Sequence, residues 1–448
     1  MKRDIETELK KWKTSPNRMP LIIRGARQVG KSFTIEKFGN EFFTNIMTIN
    51  FEFEPAIASL FETPNPEEIV AQLEIKKKTK ITPGETLLFL DEIQYCPKAI
   101  IALRYFKEKM PNLHVIAAGS LLEFTLQDHN FSFPVGRVEF LYLRPLSFNE
   151  FLYNKGELQL LDAFEQVSLD NPLPESIHNH ALELFKKYIL IGGMPAVTDL
   201  FLKHNSYLEC QRLQEILTQT YRNDFGKYAT KTQYKHLQKC FERAPHLIGQ
   251  HFKFVSVDRE SRSRDIKIAL EQLCWAGLIN RIYATSASGI PLMAQMNENK
   301  FKLLYLDIGL LQGIHQYDNE LILNQDILQI NAGELAEQFV GQELLAYGKS
   351  YENKQLFYWN REAKSSLAEV DFVITINSEI VPIEVKAGTT GRLKSLREFM
   401  KEKKSTLGIR VSQNPLSLCD NILSVPFYLL KQLPRLYKDK GTLLHKLT

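Results

Sequence analysis

Cysteine is scarce in this chain of 448 residues, and nothing about its placement suggests a framework. The five, Cys96, Cys210, Cys240, Cys274 and Cys419, are odd in number and too far apart in sequence for a local metal knuckle. That excludes a disulfide-stapled scaffold and fits a reduced compartment. Long apolar runs are missing too: none approaches the ~18–20 residues that span a bilayer. The opening Met1-Lys2-Arg3-Asp4-Ile5-Glu6 alternates charge where a signal peptide would be apolar. The expectation is a cytoplasmic protein. Charge of one sign is also lacking, with 56 Lys+Arg against 52 Asp+Glu and a net charge of +4, so any basic surface must be local. There is no internal repeat and no low-complexity tract. At 44% apolar and 24% charged, the composition is that of an ordinary globular protein, and the length suits two to four domains.

What is present is chemistry. Gly25-Ala26-Arg27-Gln28-Val29-Gly30-Lys31-Ser32 is a complete G-x-x-x-x-G-K-S phosphate loop. The apolar run Pro20-Leu21-Ile22-Ile23 precedes it and a helix-compatible stretch, Lys31 to Phe38, follows. Glycines at both ends let successive backbone N–H groups turn toward a polyphosphate, and the helix N-terminus adds a favourable dipole. Lys31 is expected to reach the β- and γ-phosphates of a nucleotide, and the Ser32 hydroxyl to ligate Mg²⁺.

The second half of such a site is Leu87-Leu88-Phe89-Leu90-Asp91-Glu92. Four consecutive apolar residues predict a strand buried on both faces of a parallel sheet, with two carboxylates at its C-terminal end. Asp91 is the expected Mg²⁺ partner and Glu92 the base for the attacking water. A third strand, Leu113 to Ala118, ends in Gly119-Ser120, which makes Ser120 a candidate γ-phosphate sensor.

With these strings in hand, the chain resembles the AAA+-like ATPases. More narrowly it resembles the prokaryotic family in which such a core is fused to a C-terminal nuclease-like domain. Phe133-Pro134-Val135-Gly136-Arg137-Val138, Leu143-Arg144-Pro145-Leu146-Ser147-Phe148 and Gly192-Gly193-Met194-Pro195 extend the likeness over nearly the whole chain. The resemblance implies adenine preference, and it implies Arg137 as an arginine finger, in cis or on a neighbouring subunit of a homo-oligomer, with Arg144 as runner-up.

Residues 1–16 predict an amphipathic opening helix with apolar Ile5, Leu9 and Trp12, and residues 1–150 an α/β ATPase core. Residues 151–230 predict a helical lid. Leu182, Phe185, Ile189 and Leu190 recur at helical spacing there, as do Leu208, Leu213, Ile216 and Leu217. Gly192-Gly193-Met194-Pro195 interrupts the run as a hinge or an interhelix turn. Residues 231–318 read as a winged helix: a helix from Tyr234, a short strand Phe252–Val257, a helix Arg264–Trp275 closed by Gly277, then two paired strands. Arg259, Arg262, Arg264 and Lys267 cluster where a recognition helix would meet a DNA backbone.

Residues 319–448 hold a second chemical pattern. Glu369-Val370-Asp371 and Glu384-Val385-Lys386 sit in alternating, half-buried strands. Neighbouring strands lie about 4.8 Å apart, so Asp371 and Glu384 can share a divalent cation, with Lys386 orienting or deprotonating a bound water. A helix around Glu334–Leu344 supplies a further carboxylate, Glu337 in preference to Glu334. The pattern resembles the PD-(D/E)xK nucleases, with Val370 in the variable proline position, and implies a restriction-endonuclease-like fold.

The reading is thus an ATPase acting on DNA with a metal-dependent nuclease site. Its alternative is a regulatory ATPase that binds a protein or nucleic-acid partner and keeps a silent C-terminal domain. A kinase sharing the loop is disfavoured by the acidic pair and the multidomain tail.

Overall fold

The computed structural model describes residues 1–120, 122–126, 134, 136–227, 231–315, 333–361, 368–388 and 391–439. Phe133, Val135 and residues 319–332 of the sequence reading lie outside them. The described chain divides into two compact units. The first comprises Met1–Pro145 with Trp275–Leu278 and Lys349–Asn353; the second comprises Leu146–Cys274, Ile279–Gly348 and the chain from Lys354.

The first unit is built on five parallel strands: β1 (Leu21–Arg24), β2 (Asn45–Asn50), β3 (Thr86–Asp91), β4 (His114–Ala118) and β5 (Glu139–Tyr142). They lie in the order β2-β3-β4-β1-β5. Each residue of β3 and β4 is buried, as expected where helices cover both faces of a parallel sheet. Helix α1 (Ile5–Thr14) buries Ile5, Leu9 and Trp12 as its periodicity predicts. Helix α2 (Lys31–Phe42) springs directly from the loop after β1. The sheet core joins Ile22, Leu88, Leu90, Val115 and Ala117 to helix side chains such as Ile69, Leu73, Ile100 and Leu103. All strand C-termini face one edge, which carries the loop after β1, the carboxylates after β3 and Ser120 after β4.

The second unit opens with the predicted helices, including Phe148–Lys155, Glu175–Ile191, Pro195–His204 and Tyr207–Asp224. The buried stripe of the last differs from the prediction. It runs through Cys210, Gln214, Leu217 and Tyr221, while Leu208 and Ile216 face solvent at 74% and 50% exposure. Apolar content alone mis-set the phase of that helix. Gly192-Gly193 forms a closed junction, which fits a packed turn and not a hinge. The Gly193 N–H donates to Asp307 at 2.7 Å and its carbonyl accepts from Leu146 at 2.6 Å. A Cβ on Gly193 would lie 2.0 Å from the Leu146 carbonyl oxygen, and one on Gly192 2.1 Å from Asp307 Oδ1. Gly193→Ala is therefore expected to cost about 1–3 kcal/mol of stability, the usual penalty of overpacking, seen as a lowered denaturant midpoint with ATP binding retained.

Beyond these helices, eight strands form one mixed sheet. They are β6 (Ile279–Thr285), β7 (Met296–Tyr305), β8 (Leu356–Asn360), β9 (Glu369–Ile376), β10 (Glu379–Val385), β11 (Gly408–Ser412), β12 (Ser417–Cys419) and β13 (Ile422–Pro426), in the order β12-β13-β11-β10-β9-β8-β6-β7. The hairpin assigned from sequence to a winged helix, β6 and β7, thus continues the C-terminal sheet: β6 pairs in parallel with β8. The boundary drawn at 318/319 does not separate two sheets. Phe252–Val257 is not a strand. Phe254–Val257 forms one helical turn, and Phe252 and Phe254 pack on Phe301 with ring centroids 5.2 and 6.2 Å apart. The aromatic alternation that suggested a strand is spent on those ring contacts. No helix among the described residues is long and apolar enough to cross a membrane.

Candidate functional site

The phosphate loop begins where β1 ends. Gly30 has φ 93°, a left-handed conformation that any side chain would strain, and it caps α2 without any side-chain oxygen on the helix N-terminus. The N-terminal N–H groups of α2 are thus left for an anion. Arg3 supports the loop from beneath, donating to the Val29 carbonyl at 2.9 Å and to that of Arg144 at 2.5 Å.

Lys31 is buried, and its ammonium donates to the carbonyls of Gly25 (2.9 Å) and Ala26 (2.8 Å). Burial pushes it down to about 8, against the pull of Glu92 and Asp91. The Ser32 hydroxyl donates to Asp91 Oδ2 at 2.9 Å, and Asn50 Nδ2 donates to the same oxygen at 3.2 Å. The two residues expected around Mg²⁺ therefore already touch, 59 positions apart in sequence. This donor set, a hydroxyl beside a carboxylate at a helix N-terminus, fits a nucleotide-bound magnesium ion.

Glu92 follows β3 at φ 49°, a left-handed conformation uncommon for a non-glycine residue. Its Oε2 accepts from Gln94 Nε2 at 2.5 Å and from the Ser120 hydroxyl at 3.4 Å, and Ser120 in turn accepts from Arg27 Nε at 3.0 Å. The structure thus brings Arg27, Ser120 and Glu92 into one chain of contacts at the sheet edge. Gln94 and Asn50 were missed from sequence. Gln94 follows the acidic pair by two residues, and Asn50 ends the neighbouring strand, so only strand order reveals the latter.

Arg137 is placed differently from the expectation. It precedes β5, whose first residue Glu139 pairs with Leu21 at the start of β1. It therefore stands at the opposite end of the sheet from the phosphate loop, 47% exposed and paired with Glu108 at 3.2 Å. A finger acting in cis from Arg137 is excluded by this geometry. Arg144 follows β5 at the loop end, where the Leu143 N–H donates to the Arg24 carbonyl at 2.8 Å. Burial lowers the Arg144 guanidinium to about 10, and it has no hydrogen-bond or ion-pair partner among the described residues.

The second unit gathers the C-terminal carboxylates. The β9–β10 ladder runs to the pair Phe372–Ile383. Just beyond it, Asp371 Oδ2 accepts from the Val385 N–H at 2.8 Å. Glu384 is buried; its Oε1 accepts from Lys386 Nζ at 2.7 Å, and its Oε2 is buried without a partner. Burial raises both Asp371 and Glu384 above the usual carboxylate range, and the charge of Asp371 adds to the rise at Glu384. That orphan oxygen beside Asp371 fits one divalent cation held between two carboxylates.

Glu337 faces a cation here. Among the described residues no three Asp, Glu, His or Cys side chains are arranged to hold a metal ion, and Lys302, on β7 and unforeseen from sequence, stands among the carboxylates. Its ammonium lies 3.3 Å from Glu337, 2.5 Å from Glu369 and 4.0 Å from Asp371, with its side chain 2% exposed. Glu369 is taken on its other side by His251 Nε2 at 2.5 Å.

Comparisons with known proteins agree with the first unit. A family model described as an AAA domain matches residues 17–152. Two domains of unknown function, DUF8612 and DUF4143, match residues 182–320 and 332–429. No curated protein matches the chain. Among solved structures, the Aeropyrum pernix ORC1 protein in complex with DNA is similar at 9% identity, covering 70% of this chain and 93% of that one with TM-score 0.31. The Thermotoga maritima RuvB Holliday junction branch migration motor is similar at 14% identity, over 62% and 88%, with TM-score 0.30. The Aeropyrum pernix ORC2 protein, in ADPNP-ADP complexes, follows at 13% identity over 72% and 94%, with TM-score 0.30. Likeness at these scores carries no argument about function. The AAA match and the phosphate-loop geometry together make residues 17–152 an AAA-type nucleotide-binding core.

Proposed function

We propose that this chain hydrolyses ATP in its AAA core and acts on DNA, with phosphodiester cleavage at the Asp371–Glu384 centre. The observation that carries the ATPase reading is the 2.9 Å contact between Ser32 and Asp91 beneath an uncapped helix N-terminus. Backbone N–H groups of residues 25–32 cradle the phosphates. Lys31 leaves its own loop carbonyls to meet the β- and γ-oxygens. Ser32 and Asp91 are the residues that would hold Mg²⁺, which neutralises phosphate charge when bound. Glu92, released from Gln94, takes the proton of the attacking water. Ser120 links that carboxylate to Arg27.

Lys31 gives this reading a pH signature. Phosphate oxygens favour the charged ammonium, so binding raises a group that sits near 8 in the free protein. Above that pH, binding must take up a proton, and ATP affinity is expected to fall as pH rises through about 8. Calorimetry in buffers of different ionisation enthalpy measures the uptake directly. A pH-independent affinity with no proton uptake between pH 7 and 9.5 would mean that Lys31 is already charged in the free protein, and loss of ATP affinity in Lys31→Ala then tests its contact with the phosphates.

DNA contact is assigned to Arg259, Arg262, Arg264 and Lys267, all exposed around the start of the helix Ser263–Trp275. Phosphate contacts of this kind are salt-dependent and carry no sequence preference by themselves. At the C-terminal centre, Asp371 and Glu384 are the residues that would hold a divalent ion, and Lys386 orients or deprotonates a water there. A second reading, in which this domain binds without cutting, is favoured by the ammonium of Lys302 inside the carboxylate cluster.

Cleavage of supercoiled and linear DNA with Mg²⁺ or Mn²⁺, with and without ATP, separates the two. The expected result is cleavage lost in Asp371→Ala and altered by ATP only while Lys31 is present. Absence of cleavage under every condition leaves the ATPase switch with a silent C-terminal domain.

A further inference from the structure

We propose that Lys302 is the built-in second cation of the C-terminal carboxylate cluster, confining that centre to one divalent ion held by Asp371 and Glu384 and taking Glu337 as a counter-ion. This rests on the metal-dependent reading of the Asp371–Glu384 centre and specifies its metal stoichiometry.

The placement follows from two periodicities. Side chains two apart on a strand share a face, and those four apart on a helix share one. Leu304 of β7 packs against Gly341 of the helix Glu334–Ala346, where a Cβ would come within 2.6 Å of the leucine methyl groups. Two residues back on the strand is Lys302, and one turn back on the helix is Glu337; they meet at 3.3 Å. The close leucine–glycine contact thus fixes the ion pair. Gln338 locks the same register, exchanging two 2.9 Å hydrogen bonds with the Tyr305 backbone.

A cation this deeply buried requires paired charge. Lys302 is 1% exposed and draws on Glu337, Glu369 and Asp371 together. Glu369 cannot turn away to another ligand set, because His251 holds its second oxygen and His251 is itself tied to the Tyr358 hydroxyl at 3.1 Å. The contacts leave one opening for an ion. Lys302 takes Glu337 and Glu369, and Lys386 takes Oε1 of Glu384. The unpartnered Oε2 of buried Glu384 is the atom left to receive a divalent cation.

The test uses the full chain without nucleotide, carrying Asp91→Asn to silence the ATP-site cation, and counts bound Mn²⁺ by electron paramagnetic resonance. One ion per chain is expected, lost in Asp371→Asn. Glu337→Gln is expected to keep the single ion, with its affinity changed by no more than the ~10–100-fold that an outer-shell partner costs. Lys302→Met should admit a second ion that disappears again when Glu337→Gln is added, and Lys302→Arg should stay at one. A larger fall in Mn²⁺ affinity, or loss of the ion, for Glu337→Gln alone would overturn the inference, because Glu337 would then be a ligand. That arm leaves Lys302 in place and so decides the matter even if Lys302→Met fails to fold. A Lys302→Met chain that folds and still binds one ion also overturns it. Absence of Mn²⁺ from the starting chain sinks the metal-dependent reading instead; a Glu337-dependent ion appearing in Lys302→Met would then still support the role of Lys302.

Discussion

Glu92→Gln is expected to bind ATP as the wild type does and to turn it over ~10²–10⁴-fold more slowly, the range a general base contributes. The substitution keeps the shape of the side chain and removes its basicity, and Asp91, Ser32 and Lys31 are left intact. The structure adds a second expectation. Gln94 donates to the same carboxylate oxygen at 2.5 Å, and Ser120 donates more weakly. Glu92 is thus held aside at a left-handed backbone position, and some of that hold must be broken before it can address a water. Gln94→Ala should therefore alter turnover without altering ATP affinity. Single-turnover hydrolysis and equilibrium binding of a fluorescent ATP analogue, run on both variants, separate the step from the binding. Normal turnover by Glu92→Gln would remove Glu92 from the chemistry and leave the water to be activated by the phosphate itself.

The positions of the loop, the acids and Ser120 were legible because each is local: a turn and helix start after β1, and short polar ends on strands buried on both faces. Their assembly was legible only through the rule that ligands meet the carboxyl ends of parallel strands. Contacts set by strand order were not. Asn50 reaches Asp91 because β2 lies beside β3, and Lys302 reaches Glu369 because β6 and β7 join the sheet through the parallel pairing with β8. Neither pairing leaves a mark within a window of sequence. The phase error in Tyr207–Asp224 has a related cause. Gln214 takes a buried position there because its amide donates to the carbonyls of Leu190 and Ile191 at 2.9 and 3.0 Å, and a polar residue satisfied in that way is invisible to a hydrophobic pattern. Strand alternation alone is enough to place Asp371 near Glu384 and Lys386, whereas nothing in the sequence shows that a lysine stands beside Glu337.

Arg144→Ala is expected to lower turnover by ~10³-fold, the lower end of what an arginine finger contributes, and Arg137→Ala to do so only through a neighbouring subunit. The geometry separates the two. Parallel pairing of β5 with β1 puts Arg137 at the strand start and Arg144 past the strand end, beside the phosphate loop. The backbone there is anchored twice, by the Leu143–Arg24 hydrogen bond and by Arg3, which spans the carbonyls of Arg144 and Val29. A guanidinium is nearly always charged, and that of Arg144, half-buried and without an acidic partner among the described residues, is left to answer an arriving anion. In the proposed reading that anion is a triphosphate. Arg137 already has Glu108 and solvent, so it gains little from a cis ligand it cannot reach. Mixing experiments decide its role. If Arg137→Ala is slow alone and recovers when mixed with Lys31→Ala chains, each subunit lends Arg137 to the next. If Arg137→Ala turns over normally while Arg144→Ala does not, the cation that answers the γ-phosphate is supplied within the chain, by the residue that follows the fifth strand.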